Sequence, residues 1–333
     1  MTLPAELAAS PALFPLAVRP IGEVRLLRLS EADYAAASFL DERLLPGRPQ
    51  ELAAHWDDLA AAASLIQAEC DFIFHISHVG STLLARLLGA LPDLFPVREP
   101  ALLRGLARGQ LSAAAMPVIA RLLARSWRPS QRTVVKATSF VSEIGPDLMA
   151  QQPSARAVLM LVGAPTFLAT ILGGSATGPE LPYTIPARLD RLARRLKADP
   201  PRVEGPGEMA AAAWLCETWS LCAIARECAG RVGWLDFDAF LLDPRQGLTG
   251  VLRTLRGQAT QPEVTAMLAS PYASRYSKAP EYAFSPGVRR GVLREAHASH
   301  AGEISRGLAW LDAVAGRGGE AAGVIAKVGK IVA

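Results

Sequence analysis

Three small polar residues directly follow a predicted strand and open a predicted helix, a spacing that suits the binding of an anion. Residues Phe72–Ser77 are mostly strand formers, Gly80, Ser81 and Thr82 come next, and a helix-periodic apolar run begins at Leu83. This order brings backbone N–H groups, two hydroxyls and a helix N-terminus around one small space, which favours phosphate. Glycine also lets the backbone approach an anion closely.

The loop is a poor match to the standard nucleoside-triphosphate loop. That motif requires Gly, four further residues, then Gly-Lys-Ser/Thr. Here His75 takes the first Gly position and Ser81 takes the Lys position. The two histidines His75 and His78 have no third ligand at metal-site spacing, so we expect no metal.

Three later segments add charged or hydroxyl side chains at the ends of predicted strands. Arg98-Glu99-Pro100 follows a short apolar run, and a β-branched strand ends on Lys136 before Ala-Thr-Ser-Phe. A strand beginning at Trp234 leads into an acidic turn that closes on Asp243-Pro. A lysine at the carboxyl end of a parallel strand points toward the crevice where such sheets bind ligands.

The loop and these segments resemble the sulfotransferase family in type and in order. Residues 80–84, Gly-Ser-Thr-Leu-Leu, fall on its phosphosulfate loop, and His78 takes a position that is usually Arg or Lys. The resemblance covers about Phe72 to Leu255 and is closest to bacterial sulfotransferase-like proteins of undefined substrate. It implies a P-loop-type fold and 3′-phosphoadenylyl sulfate as the donor.

The resemblance also implies roles for particular residues. The loop His78-Val79-Gly80-Ser81-Thr82 and the cation Lys136 would hold the phosphosulfate, and Glu99 would take the acceptor proton as general base. His78 could instead be that base when neutral, or donate to phosphate when charged. Alternatively, Glu99 pairs with Arg98, Arg104 or a helix N-terminus, and Lys136 simply closes a strand at the surface.

The 3′-phosphate site departs from the family pattern. Gly163 takes the position of the usual arginine, and Thr170 is the nearby hydroxyl at about the right offset. Loss of a bidentate arginine at a phosphate is a large change. The basic segment with Arg275 and Lys278, followed by Arg289, could supply the missing charge, or it could be a solvated loop.

Composition narrows the class of protein. The 333 residues are half apolar and carry a formal net charge of +4 without a dense basic block, which suits a small anionic ligand and not nucleic acid. The four cysteines have no Cys-x-x-Cys spacing, which indicates buried thiols in a reducing compartment. No uncharged apolar stretch reaches the roughly 18 residues of a membrane span, so we expect a cytoplasmic protein with no membrane segment.

Strand and helix patterns alternate through the middle of the chain, as in βαβ units. Strands are expected at 72–77, 134–136, 157–162 and 232–237, and Glu51–Gln67 is expected to be helical. We predict an α/β fold with a P-loop-type, mostly parallel central sheet flanked by helices. Residues 1–70 form an N-terminal cover, 71–290 the core, and 291–333 a helical C-terminal extension, loosely linked near Gly316–Gly323.

The function expected from these patterns is transfer of a sulfuryl group to a hydroxyl or amine of a small acceptor. One rival is a nucleotide-dependent kinase, for which Asp236 could serve a magnesium ion. The other is a non-catalytic binding protein whose nucleotide site has decayed, as the changes at His78 and Gly163 would allow. The acceptor and the oligomeric state are left open.

Overall fold

The computed structural model describes residues 2–19, 22–46, 52–175, 177–276, 279–283 and 285–333. For residues 276 and 279–283 it describes the backbone only. The strands are β1 (Leu13–Val18), β2 (Glu23–Arg28), β3 (Leu52–His55), β4 (Asp71–His75), β5 (Leu94–Arg98), β6 (Arg132–Lys136), β7 (Ala157–Leu161), β8 (Val232–Asp236), β9 (Arg275–Tyr276) and β10 (Ala279–Ala283). The helices are α1 (Leu3–Ala9), α2 (Glu31–Ala36), α3 (Trp56–Leu65), α4 (Ser81–Leu88), α5 (Ala101–Ala107), α6 (Met116–Leu123), α7 (Gly145–Ala150), α8 (Ala164–Leu172), α9 (Thr177–Leu196), α10 (Pro206–Glu227), α11 (Phe237–Leu242), α12 (Pro244–Arg256), α13 (Gln261–Leu268), α14 (Pro286–Ser299), α15 (Ala301–Gly316) and α16 (Gly319–Ile331).

A parallel five-stranded sheet forms the core, in the order β5-β6-β4-β7-β8. Strands β4, β5 and β7 are buried along their whole length, as expected for a sheet that helices cover on both faces. From β4 the chain first builds β5 and β6 on one side, then crosses to β7 and β8 on the other. The carboxyl end of β4 is therefore the switch point, where open parallel sheets bind ligands.

The register of β5 and β6 places the last residues of the two strands side by side. Arg98 pairs with Lys136, and the N–H of Glu99 donates to the Lys136 carbonyl at 2.7 Å. Because all strands of this sheet run the same way, Glu99 and Lys136 end at the same edge as the loop at Gly80. The sheet thus gathers the predicted anion loop and the predicted base without help from the helices.

Helices cover both faces of this sheet. The 22-residue helix α10 is largely buried and packs against α8, α9, α15 and α16. Its sequence is apolar nearly all round, as a helix enclosed by others requires. Helices α14 and α15 both contact α8, which begins immediately after β7. The C-terminal helices therefore pack beside the edge of the sheet that carries the loop.

An antiparallel sheet of β1, β2 and β3 precedes the core and is attached to it by buried arginines. The Arg125 guanidinium, just after α6, donates to the carbonyls of Leu7, Ser10 and Leu13 at 2.7–3.1 Å. Arg98, the last residue of β5, donates to the Ala37 carbonyl at 2.7 Å. Burial lowers the pKa of Arg125 to about 10, because a buried charge loses its hydration. The three carbonyl dipoles compensate for part of that loss.

The predicted fold class is confirmed, with the main strands placed within a few residues. Two local predictions differ. Residues 52–55 are a strand before α3, because they pair with β2; Glu51 lies outside the described residues. The expected loose link near Gly316–Gly323 is a tight turn at Arg317 and Gly318 between two helices, made possible by positive φ angles at Gly318 and Gly319.

The boundaries at 70 and 290 stay predictions. All four cysteines are buried and free of disulfides. Among the described helices, none combines the length and the apolar composition needed to cross a bilayer.

We expect Arg125→Ala to lower the free energy of unfolding by about 2–4 kcal/mol, because buried carbonyls lose their donor and a void replaces the side chain. Chemical denaturation followed by circular dichroism measures the change. Arg128→Ala is the matched control, since Arg128 makes an exposed ion pair with Glu31 and its loss should have no measurable effect. Equal losses in the two variants would contradict the anchoring role of Arg125.

Candidate active site

The connection between β4 and α4 is a strained loop fixed by a buried histidine. Ser77 and His78 have φ angles of +75° and +52°, in the left-handed region that residues other than glycine seldom adopt. Nδ1 of His75 accepts the Ser77 N–H at 3.0 Å, so Nε2 carries the proton and donates to the Ala137 carbonyl at 2.8 Å. The His75 imidazole therefore ties the loop to the residue that follows β6.

Gly80 is the one loop position that only glycine can fill. Its φ is +68°, and a Cβ atom added there would lie 2.1 Å from Cε2 of Phe237. The left-handed residues His78 and Gly80 flank Val79, which is not left-handed. Alternation of this kind forms the concave arrangements of backbone N–H groups that bind anions.

Two buried hydroxyl residues begin α4. Ser81 is 5% exposed and Thr82 is 2% exposed. Oγ1 of Thr82 is buried and has no hydrogen-bond partner among the described residues. A buried hydroxyl without a partner costs free energy, so a structure that retains one has a group available for a ligand.

Glu99 is held by two side chains at the ends of β5 and β6. Lys136 Nζ forms a buried ion pair with Glu99 Oε1, and the Thr138 hydroxyl donates to Oε2 at 3.1 Å. Glu99 has a φ of +48°, a strained angle for a glutamate. Neither suggested arginine partner pairs with it: Arg98 donates to backbone carbonyls, and Arg104 pairs with Asp41.

A cavity of about 480 Å³ lies at this edge of the sheet, within the size range of small-molecule sites. Its lining comes from the loop, from the segment after β6, from α8 and from α14. The predicted site residues on the lining are His78, Val79, Gly80, Ser81, Thr82, Glu99, Thr170 and Arg275. Eight residues chosen from separate stretches of the chain thus meet at one space.

Two further predicted residues have different positions. The Lys136 side chain is 1% exposed and contacts Glu99, and it is not among the described residues that line the cavity. Direct contact between Lys136 and a phosphosulfate stays a prediction. Lys278 lies outside the described residues.

Arg289 of α14 is a cationic residue on the cavity lining. Nη1 pairs with Asp238, and the guanidinium carbon lies 4.9 Å from the centre of the Phe237 ring. Nη2 is buried and has no hydrogen-bond partner among the described residues. Phe237 also packs on Gly80, so one ring lies beside both the loop backbone and the arginine. The cavity lining therefore includes a second residue that has a buried donor without a partner among the described residues.

Gly163, which takes the position of the family's arginine, is in contact with the C-terminal end of the chain. Gly163 precedes α8 and does not line the cavity as far as the structure describes it. A Cβ atom there would lie 3.5 Å from Cγ2 of Val332, after the end of α16. Thr170 does line the cavity, and its hydroxyl donates to the Thr166 carbonyl at 2.7 Å. A cation for this region would have to come from elsewhere, and Arg289 is on the lining.

Asp236, which the kinase alternative would use for magnesium, has a structural task. Its carboxylate accepts the N–H groups of Asp238 and Ala239, both at 3.2 Å, and so caps α11. Burial raises the pKa of Asp236 above its ordinary value. Among the described residues, no group of three His, Cys, Asp or Glu side chains is arranged to hold a metal ion.

Sequence reasoning assigned no role to Thr138, Phe237 or Val292, although all three line the cavity. Thr138 carried a signal, because it follows Lys136 at a strand end. Val292 carried none, since a valine on an amphipathic helix is ordinary core or surface. Phe237 and Val292 became site residues only when α11 and α14 packed at this edge of the sheet, whereas Thr138 is there because it follows the end of β6.

Comparisons with known structures find sulfotransferases. The chain is similar to the sulfotransferase domain from the curacin biosynthetic pathway, with 14% identity, a TM-score of 0.42, and 68% of this chain and 87% of that one covered. It is also similar to the sulfotransferase domain of the Synechococcus PCC 7002 olefin synthase, with 16% identity, a TM-score of 0.37, and 70% of this chain and 94% of that one covered. A sulfotransferase from Mycobacterium avium is similar as well, with 12% identity, a TM-score of 0.36, and 70% of this chain and 76% of that one covered. No protein-family model and no curated protein matches the sequence.

We expect Thr82→Val to leave the free energy of unfolding unchanged or slightly higher, because the hydroxyl it removes is buried without a partner. Thr133→Val is the matched control. Thr133 is fully buried, and its hydroxyl donates to the Arg125 carbonyl at 2.8 Å, so its loss should cost about 1 kcal/mol. Urea titration of both variants measures the difference, and a larger loss at position 82 than at 133 would argue against an unsatisfied hydroxyl.

Proposed function

We propose that this chain transfers a sulfuryl group from 3′-phosphoadenylyl sulfate to a hydroxyl or amine of a small acceptor. The observation that carries the proposal is the combination of residues on one cavity lining. Two of them have a buried donor without a partner among the described residues, and a third is a carboxylate paired with Lys136. The donors, Thr82 Oγ1 and Arg289 Nη2, suit an anionic ligand, and the carboxylate of Glu99 suits the removal of a proton.

The residues present fit the donor molecule. Its phosphate and sulfate oxygens accept hydrogen bonds, and the cavity offers the loop backbone at Gly80, the hydroxyls of Ser81 and Thr82, and the Arg289 guanidinium. The loop backbone and the two hydroxyls would hold the phosphosulfate at the N-terminus of α4, where the helix dipole also favours negative charge. We assign Arg289 to the 3′-phosphate, in place of the arginine that is missing at position 163. Arg275 adds a second positive charge to the same lining.

The transfer itself is a single displacement at sulfur. A lone pair of the acceptor oxygen or nitrogen forms a bond to sulfur, while the bond from sulfur to the bridging oxygen of the 5′-phosphate breaks. That oxygen leaves with the electron pair, giving adenosine 3′,5′-bisphosphate, and the acceptor proton passes to the Glu99 carboxylate. Positioning and charge stabilisation supply most of the rate in transfers of this kind.

Lys136 then acts through Glu99 as a positioning residue. Its ammonium compensates the buried carboxylate and fixes its orientation, together with the Thr138 hydroxyl. Each carboxylate oxygen has a second lone pair, so these contacts leave room for the acceptor. His78 lies exposed at the rim of the cavity and is assigned to the anion, while the buried Glu99 is assigned to the proton.

We expect adenosine 3′,5′-bisphosphate to bind in calorimetric titration, and Arg289→Met to weaken it by roughly 10- to 100-fold, since a charged hydrogen bond is lost. Arg290→Met is the matched control, because Arg290 is an exposed neighbour on the same helix and should bind nearly as the parent does. 5′-AMP tests the need for the 3′-phosphate. A preference for ATP with magnesium would favour phosphoryl transfer instead, and no binding of any nucleotide would favour a decayed site.

We expect Glu99→Gln to lower kcat by roughly 10²–10⁴-fold, the usual worth of a general base, without weakening the bisphosphate. The isosteric amide keeps the side chain's size but cannot take the proton. Sulfated product is measured by mass spectrometry with a panel of alcohols and amines as acceptors. A larger loss of kcat in His78→Gln than in Glu99→Gln would transfer the role of base to the histidine.

A further inference from the structure

Helix α14 presents a mostly aliphatic face to the cavity. The lining includes Arg289, Val292, Leu293 and Ala296, which are spaced as i, i+3, i+4 and i+7 and so share one helical face. Beyond Arg289, this face offers only hydrocarbon. Most polar residues of the lining lie instead on the loop at Gly80 and at the ends of β5 and β6, and two others are Thr170 on α8 and Arg275 on β9.

One of these aliphatic residues, and another one turn before it on α14, form a row that continues out of the cavity into solvent. Val292 lines the cavity and is 52% exposed, while Val288, one turn earlier, is 47% exposed. Of the described helices, α14 alone has two large apolar side chains that are this exposed. Scattered exposed apolar residues are normal, but a row continuous with a cavity marks a surface that binds something apolar.

The row has a closed end and an open end. Ala296, one turn beyond Val292, is 6% exposed. A Cβ atom added at Gly173, at the end of α8, would lie 2.7 Å from the Cβ atom of Ala296. Helices α8 and α14 therefore touch at that depth, and an occupant cannot pass between them there. An apolar chain that begins in the cavity can leave along Val292 and Val288.

The other walls of the cavity are also suited to a carbon chain. Leu83 and Phe237 are buried apolar side chains on the lining. Phe39 completes it from the N-terminal segment, and the Arg43 guanidinium carbon lies 3.5 Å from the centre of its ring, on the ring face. Apart from the group that reacts near Glu99, an acceptor in this space would therefore touch mainly hydrocarbon.

From this geometry we infer that the acceptor is a primary alcohol or amine on an aliphatic chain, with its tail lying along the row Val288–Val292–Ala296. The inference rests on the proposed function and names its substrate class. The reactive group meets Glu99 and the sulfuryl group, and the tail gains contact area in proportion to its length. Val292 and Val288 then determine specificity without taking part in the transfer.

Straight-chain primary alcohols from ethanol to decanol test the inference by calorimetric titration into the protein saturated with adenosine 3′,5′-bisphosphate. Each added methylene that contacts the row should tighten binding roughly fourfold. The gain should end once the chain extends past Val288. Initial rates with the sulfuryl donor should give the same dependence in kcat/KM, with kcat nearly constant, because the tail binds equally in the ground and transition states.

Val292→Ser and Val288→Ser should each reduce the gain per methylene and leave the binding of ethanol and of the bisphosphate unchanged. Leu65→Ser is the matched control, since Leu65 is 60% exposed on α3, in the N-terminal segment. Affinity independent of chain length, or a dependence that survives both valine variants, would overturn the inference. If the bisphosphate itself fails to bind, the proposed function fails, and titration of the alcohols into the nucleotide-free protein still tests the aliphatic row.

Discussion

An ammonium group and a carboxylate meet at the ends of two adjacent strands with almost no access to solvent, and each depends on the other. The side chains of Lys136 and Glu99 are 1% and 9% exposed. Removing either one would leave a buried charge uncompensated, which typically costs about 3–5 kcal/mol. The pair also depends on the register that sets Arg98 opposite Lys136, and on the strained φ of Glu99. A slip of one residue between β5 and β6 would separate the two charges.

The same strand end connects this pair to the N-terminal segment. Arg98 and Glu99 are consecutive: Arg98 donates to the backbone carbonyl of Ala37, whereas Glu99 lines the cavity. The attached segment then contributes Phe39 to the cavity wall. The cover is thus held by buried arginine–carbonyl hydrogen bonds and completes the site, so its position and the shape of the cavity are linked.

Several features of the cavity reduce stability and are retained together. Two residues of the loop are left-handed without being glycine, and both Thr82 Oγ1 and Arg289 Nη2 are buried without a partner among the described residues. Strain and unsatisfied donors each cost free energy in the absence of a ligand. Their presence in one place is the pattern expected where binding an anion satisfies the donors. The rest of the core, apolar and closely packed, supplies the stability that offsets this cost.

The sequence by itself determined the strands, the loop and the order of the polar strand ends, because periodicity and residues such as Gly80 act locally. It also supplied the candidates on the lining, including Glu99, since the carboxyl ends of parallel strands share an edge. Only the tertiary structure decided that Lys136 pairs with Glu99, and that α14 brings Arg289 and an aliphatic row to the cavity. Those outcomes depend on how helices distant in the chain pack on the sheet, and no local pattern encodes that packing.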